Sequence, residues 1–118
     1  MNNIILIGMP GAGKSTIGVV LAKKLGYEFI DSDIVIQNRY KKILQELINE
    51  YGTNKYEKIE NDVNKSLNPQ NSVIATGGSA IYGKEAMEHF DSIGTVVYLN
   101  LPYEEIEQRL GNLEERGV

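Results

Sequence analysis

Four short apolar runs alternate along the chain with longer stretches whose apolar residues recur every three or four positions. Asn3-Ile4-Ile5-Leu6-Ile7 and Ser72-Val73-Ile74-Ala75-Thr76 are continuous runs rich in β-branched residues, the pattern of strands buried on both faces. Glu28-Phe29-Ile30, ending at Asp31, predicts a short second strand, and Thr95-Val96-Val97-Tyr98-Leu99 a fourth. Between them, Ile17, Leu21 and Leu25 mark one helix face, stopped by Gly26. Ile43, Leu44, Leu47, Ile48 and Tyr51 mark a second, stopped by Gly52. Tyr56, Ile59, Val63 and Leu67 mark a third, with Thr53 as its cap and Pro69 beyond its end. Lys84 to His89 predicts one or two helical turns. Pro102 opens a last helix with Glu104 and Glu105 in its first turn and Ile106 and Leu110 on its face. Strand and helix in alternation imply a parallel sheet with helices on both faces, and ligands then bind beyond the carboxyl ends of the strands. Three features fall at such ends: a glycine-rich loop, Asp31 to Asp33, and Gly77-Gly78.

The loop is the most specific of the three. Gly8-Met9-Pro10-Gly11-Ala12-Gly13-Lys14-Ser15-Thr16 fits G-x-x-x-x-G-K-[ST], and it follows a strand and opens a helix, the context in which that motif binds phosphate. Its glycines let backbone N–H groups converge on phosphate oxygens, and the helix N-terminus adds more donors and a positive dipole end. Lys14 is placed to reach the β- and γ-phosphates, Ser15 to ligate Mg²⁺, and Thr16 to support the first helical turn. Gly11, Ala12 and Gly13 supply the backbone of the cradle.

Composition narrows the setting. The 118 residues make one domain, carry a net charge of −4 and contain no Cys. A disulfide framework, a thiol nucleophile and a thiolate metal site are excluded. An acidic chain has no general attraction to nucleic acid or anionic membrane, so phosphate must be met by local groups. No apolar stretch approaches a membrane span, and the N-terminal run has no basic lead-in. The expectation is a cytoplasmic protein with no nucleic-acid or membrane partner. His89 is the lone histidine and makes no metal cluster.

Asp31-Ser32-Asp33 puts two carboxylates at a strand end, where metal and an acceptor hydroxyl must meet in metal-assisted phosphoryl transfer. One can hold the metal through water while the other orients or deprotonates the hydroxyl. Capping of a helix beginning near Ile34, by Ser32 or Asp33, is the competing use. Gly77 and Gly78 either turn their N–H groups to the acceptor or the γ-phosphate, or form a plain tight turn.

On the loop Gly8 to Gly18, on Asp31-Ser32-Asp33, on Ala75-Thr76-Gly77-Gly78, and on Thr95-Val96-Val97-Tyr98-Leu99 followed by Arg109, the chain resembles the shikimate kinase family of P-loop small-molecule kinases. The resemblance runs from residue 4 to 118. It implies a three-layer α/β/α P-loop kinase fold, ATP and Mg²⁺, and a small hydroxylated metabolite as acceptor. It gives Asp31 the metal side, Asp33 the acceptor side, and Arg109 a place near adenine. Arg116 lies at the spacing of the family's phosphate-reaching lid arginine; solvated helix-end charge is the alternative for both arginines and the favoured one for Arg116.

Two departures stand out. The family's F-R-x-x-E stretch, whose arginine binds the substrate carboxylate, reads Tyr56-Glu57-Lys58-Ile59-Glu60 here. A carboxylate cannot pair with another carboxylate, and Lys58 points roughly 100° away round the helix. The family's third consecutive glycine is Ser79. Both changes touch the acceptor side, so the phosphoryl donor is expected to be kept while the acceptor is open. Glu57 is a candidate acceptor-pocket residue or a solvated helix residue. Family members also continue into an arginine-bearing lid and a fifth strand, so the expected form is C-terminally truncated, with weak turnover and a sheet edge at Thr95 to Leu99 that invites dimerisation. The leading function is an ATP-dependent phosphotransferase acting on a hydroxyl of a small metabolite. The alternatives are a nucleotide-binding module without efficient turnover and a related P-loop kinase acting on a sugar acid, nucleoside or amino-acid alcohol.

Overall fold

The computed structural model describes residues 2–8 and 13–99 of the chain. Its elements are β1 (Asn3–Gly8), α1 (Lys14–Leu25), β2 (Glu28–Asp31), α2 (Ser32–Tyr40), α3 (Leu44–Tyr51), α4 (Thr53–Ser66), β3 (Ser72–Ala75), a single 3₁₀ turn (Ala80–Tyr82), α5 (Lys84–Ile93) and β4 (Gly94–Leu99). The four strands form one parallel sheet in the order β2-β3-β1-β4. The expected α/β architecture is present, with β1 and β3 at the centre.

The alternation of side chains along each strand builds two cores. Ile5 and Ile7 of β1 and Ile74 of β3 point to one face, where Leu67, Phe90 and Ile93 cover them. Leu6 and Val73 point to the other, against Ile17 and Ala22 of α1 and the partly buried Phe29. Burying each of these larger side chains contributes about 1.5–3 kcal/mol. A third cluster, Ile36, Leu47, Tyr56, Ile59 and Val63, ties α2, α3 and α4 together. That cluster is what holds α4 beside the sheet end.

The helix faces deviate from the expected stripes in ways that helical geometry explains. Leu25 is 47% exposed, and Ala22 is buried beside Ile17 instead. Each four-residue step overshoots a full turn by about 40°, so a stripe at Ile17, Leu21 and Leu25 rotates off the sheet. Ile43 is exposed because it is the extended N-cap residue of α3 rather than part of its face. Thr53 is the first residue of α4, and the cap before it is Gly52, with no side-chain capping bond. The turns expected from Lys84 extend to a ten-residue helix that buries Ala86, Phe90 and Ile93. The helix expected from Pro102 lies outside the described residues.

At the far end of the sheet, Asn3 acts as a staple. Its amide nitrogen donates to the carbonyls of Pro69 and Ile93, both at 2.9 Å, and its amide oxygen accepts from Ser72 N–H at 3.0 Å. These bonds join the entries of β1, β3 and β4 where an unpaired amide would be costly.

Candidate active site

The carboxyl ends of the strands converge because the pairing register is even. Asp31 lies opposite Ala75, and Leu6 lies opposite both Ala75 and Val97. The residues just past these ends therefore share one cavity of about 380 Å³. Lys14, Ser15 and Thr16 line it from α1, Asp33 from α2, and Gly77 and Gly78 from the segment after β3.

Gly13 closes the loop in the left-handed region, at φ 75°, and its carbonyl accepts the Ile17 N–H at 2.9 Å, which starts α1. Glycine takes that left-handed conformation at little steric cost. Lys14 is buried, and its ammonium donates to the Gly8 carbonyl at 2.9 Å. Burial lowers the pKa of Lys14, while the nearby carboxylates of Asp33 and Glu60 raise it.

Asp31 serves two partners at once. One oxygen, Oδ1, accepts the backbone N–H groups of Asp33 at 3.0 Å and Ile34 at 3.3 Å, which makes Asp31 the N-cap of α2. The capping role expected of Ser32 or Asp33 thus falls one position earlier, because β2 runs straight into α2 with no intervening residue. The other oxygen, Oδ2, accepts the Ser15 hydroxyl at 3.0 Å. The phosphate loop and the end of β2 are joined through the two side chains expected at a metal.

Asp33 faces inward. Its Oδ1 is buried without a hydrogen-bond partner among the described residues. Burial first, then the charge of Asp31, raise its pKa above the ordinary carboxylate range, with Lys14 opposing. The segment after β3 is pinned by Thr76, whose N–H and hydroxyl both donate to the Leu6 carbonyl, at 3.1 and 2.8 Å. Gly77 and Gly78 follow, and the Ala80 N–H donates back to the Gly77 carbonyl at 3.2 Å. The glycine pair forms a turn and lines the cavity at the same time. A β-carbon on Gly77 would stand 2.5 Å from Glu60 Oε2 and 2.6 Å from Asp33 Oδ1, so any other residue here makes at least one of the two carboxylates shift.

Glu60 belongs to this site, and sequence pattern alone gave it no role. It is 2% exposed, on the face of α4 that Tyr56, Ile59 and Val63 bury. An acid at a core position of an apolar stripe was the available signal. Its Oε1 accepts the Ser79 hydroxyl at 2.5 Å. Burial raises its pKa, the Ser79 hydrogen bond opposes that, and the charges of Asp33 and Glu57 add to it. Glu57 is half-buried one turn before Glu60, and it does not line the cavity. Gly11, Ala12 and Arg109 lie outside the described residues. Among the described residues, no three His, Cys, Asp or Glu side chains gather as a metal cage, and no helix is long and apolar enough to cross a membrane.

A strand, a glycine-rich loop, a lysine-serine helix start and a carboxylate at the next strand end define a P-loop nucleotide-binding protein of α/β/α architecture. The comparisons with known proteins carry this further. The shikimate kinase family model matches residues 10–118. The chain is 40% identical over 116 residues to a shikimate kinase of Azobacteroides pseudotrichonymphae, covering 97% of this chain and 68% of that protein. It is 43% identical over 117 residues to one of Clostridium botulinum strain Loch Maree, covering 98% of this chain and 68% of that one. The solved structure of a shikimate kinase from Acinetobacter baumannii in complex with shikimate superposes with a TM-score of 0.80 at 37% identity, over 88% of this chain and 59% of that chain. The chain belongs to the shikimate kinase family, and it spans about six- to seven-tenths of the length of these relatives.

Proposed function

We propose that the chain carries the phosphate-binding and acceptor-binding parts of an ATP-dependent phosphotransferase acting on a hydroxyl of a small metabolite, with shikimate the acceptor to which its relatives point. The observation that carries this reading is the Ser15–Asp31 contact at 3.0 Å beside the inward-facing, unpartnered Asp33 oxygen. It supports a phosphate side and an acceptor side sharing one cavity.

The donors at Ser15 and Asp31 are hard oxygens, which suits Mg²⁺, an ion that keeps water and phosphate oxygens as most of its ligands. When bound, the ion supplies neutralising charge at the transferring phosphoryl group. The chain's own residues do the rest. Gly13 and the α1 N-terminus present N–H groups to phosphate, with Gly11 and Ala12 completing the loop by sequence. Lys14 presents a cation to the β- and γ-phosphates. Asp33 accepts the proton of the attacking hydroxyl, its inward-facing Oδ1 being without a partner among the described residues. Gly77 and Gly78 orient the acceptor. Arg109 contacts adenine by the family pattern. A cytoplasmic setting, with no nucleic-acid or membrane partner, fits this chemistry.

A coupled assay of ADP release across a panel of hydroxylated metabolites, on this chain and on any longer form of it, tests the reading. Shikimate-dependent ADP release supports it. Tight ADP binding with no acceptor-dependent release from either form identifies a nucleotide-binding module instead. A second reading, transfer to an acceptor bearing a basic group, is favoured by one observation. Glu57 adds its negative charge beside the already acidic pair Glu60 and Asp33.

A further inference from the structure

The segment that lines the acceptor side of the cavity has two anchors. At one end, Thr76 is bonded twice to β1 through the Leu6 carbonyl. At the other, Ser79 donates its hydroxyl to Glu60 on α4 at 2.5 Å. Between them stand Gly77 and Gly78, the two residues with the greatest backbone freedom. Ser79 also begins the 3₁₀ turn, its carbonyl accepting the Tyr82 N–H at 3.1 Å, so displacing Ser79 displaces that turn as well. Glu60 is a firm post. It is buried, on a helix fixed by the Tyr56, Ile59 and Val63 cluster. Its second oxygen and Asp33 Oδ1 both stand within 2.6 Å of where a β-carbon on Gly77 would be.

We infer that the Ser79–Glu60 hydrogen bond is a latch that positions Gly77 and Gly78 against Asp33, and that Ser79 is thereby a positioning residue for the acceptor and not for the nucleotide. The inference rests on the acceptor site being where the proposed function puts it. The separation of the two ligands follows from the elements involved. The phosphate loop and α1 connect to β1 and to Asp31, whereas among the described residues the Ser79 hydroxyl reaches only Glu60 on α4, and the charge that Glu60 exerts on Lys14 does not depend on that bond. With the hydroxyl gone, the glycine pair has one anchor instead of two, and Glu60 Oε1 loses its donor. A buried carboxylate without its donor then moves toward any other, and Gly77 moves with it.

The test compares Ser79→Ala and Ser79→Thr with the parent sequence. Hydrogen exchange is read at amides 77–80 and at α1, and calorimetry uses Mg-ADP and shikimate as probes. A latch predicts exchange at 77–80 at least tenfold faster in Ser79→Ala, with α1 amides and Mg-ADP affinity unchanged within twofold. It also predicts shikimate affinity reduced by about tenfold, and all of these restored in Ser79→Thr, which keeps the hydroxyl. Unchanged exchange at 77–80 in Ser79→Ala overturns the latch, whatever the acceptor is. Parallel loss of Mg-ADP and shikimate affinity overturns the acceptor-specific role. If the parent sequence binds Mg-ADP but not shikimate while Ser79→Ala exchanges faster only at 77–80, the latch stands and the shikimate reading of the proposed function falls.

Discussion

Asp33 and Glu60 both close on Gly77, their nearest oxygens 2.6 and 2.5 Å from the point where a β-carbon on that glycine would stand. Two acids from different helices thus meet at one residue of backbone. Gly77→Ala forces at least one of them to move, at a cost of the order of 1–3 kcal/mol for overpacking. The expected outcome is a lowered Tm together with weakened shikimate binding. Calorimetric affinity equal to the parent sequence would show that the acids have room to retreat.

Lys14→Ala is expected to weaken Mg-ADP binding by roughly tenfold or more, since a charged hydrogen bond contributes about 1.5–3 kcal/mol. Lys14 is buried, and its ammonium is already directed at the loop through the Gly8 carbonyl. Equal ADP affinity in the two proteins would remove lysine from the phosphate site.

Glu57→Arg is expected to improve shikimate affinity by a few-fold. Glu57 is half-buried, and pairs at such positions contribute about 0.2–1 kcal/mol, so the change is modest. Glu57→Gln should fall between. If the parent sequence binds shikimate tightly and Glu57→Arg does not improve it, Glu57 has no part in acceptor choice.

The pKa of Glu60 is raised in the folded chain, chiefly by burial. A raised carboxylate favours folding in its protonated form. Its contribution is fully present below the ordinary glutamate value of 4.5 and is lost as pH rises through the raised value. Glu60→Gln keeps the shape and an acceptor for Ser79 without the charge. It is therefore expected to flatten the fall in Tm as pH rises from that value, and to be more stable than the parent sequence at pH 8. Thermal melts across that range check the sign, and parallel curves for the two proteins would contradict it.

Among the described residues β4 pairs with β1 on one side only, and Val97 and Tyr98 are 37% and 51% exposed. Unpaired strand edges recruit other strands. Light scattering is expected to show association of this form that grows with concentration. A monomer at high concentration with amides 95–99 strongly protected would show that the edge is covered.

Much of this was readable from sequence where a residue's type fixes its chemistry. The phosphate loop, Asp31 and Asp33 announce themselves because glycine, lysine and paired acids at strand ends have few other uses. The strands were readable because their apolar runs are short and β-branched. What stayed hidden depends on rotation and on contacts between distant elements. Leu25 turns to solvent because a four-residue stripe drifts round the helix. Asp31 became the cap because β2 meets α2 without a linker. Glu60 stands out in sequence only as an acid on an apolar stripe, and Ser79 becomes its partner only once α4 is placed against the segment after β3.

The staple at Asn3 bears on the order in which the molecule assembles. It bonds to groups 66 and 90 residues further along, and β1 takes both of its strand neighbours, β3 and β4, from the last third of the described chain. Of the four described strands, β1 thus waits longest along the chain for its partners. Contacts of such long range slow folding, and they leave the apolar residues of β1 waiting. The phosphate loop hangs from the end of that strand. A growing chain can therefore have no shaped nucleotide site until residues near 75 have emerged to flank β1 on one side, and no complete central sheet until residues near 99 have closed the other.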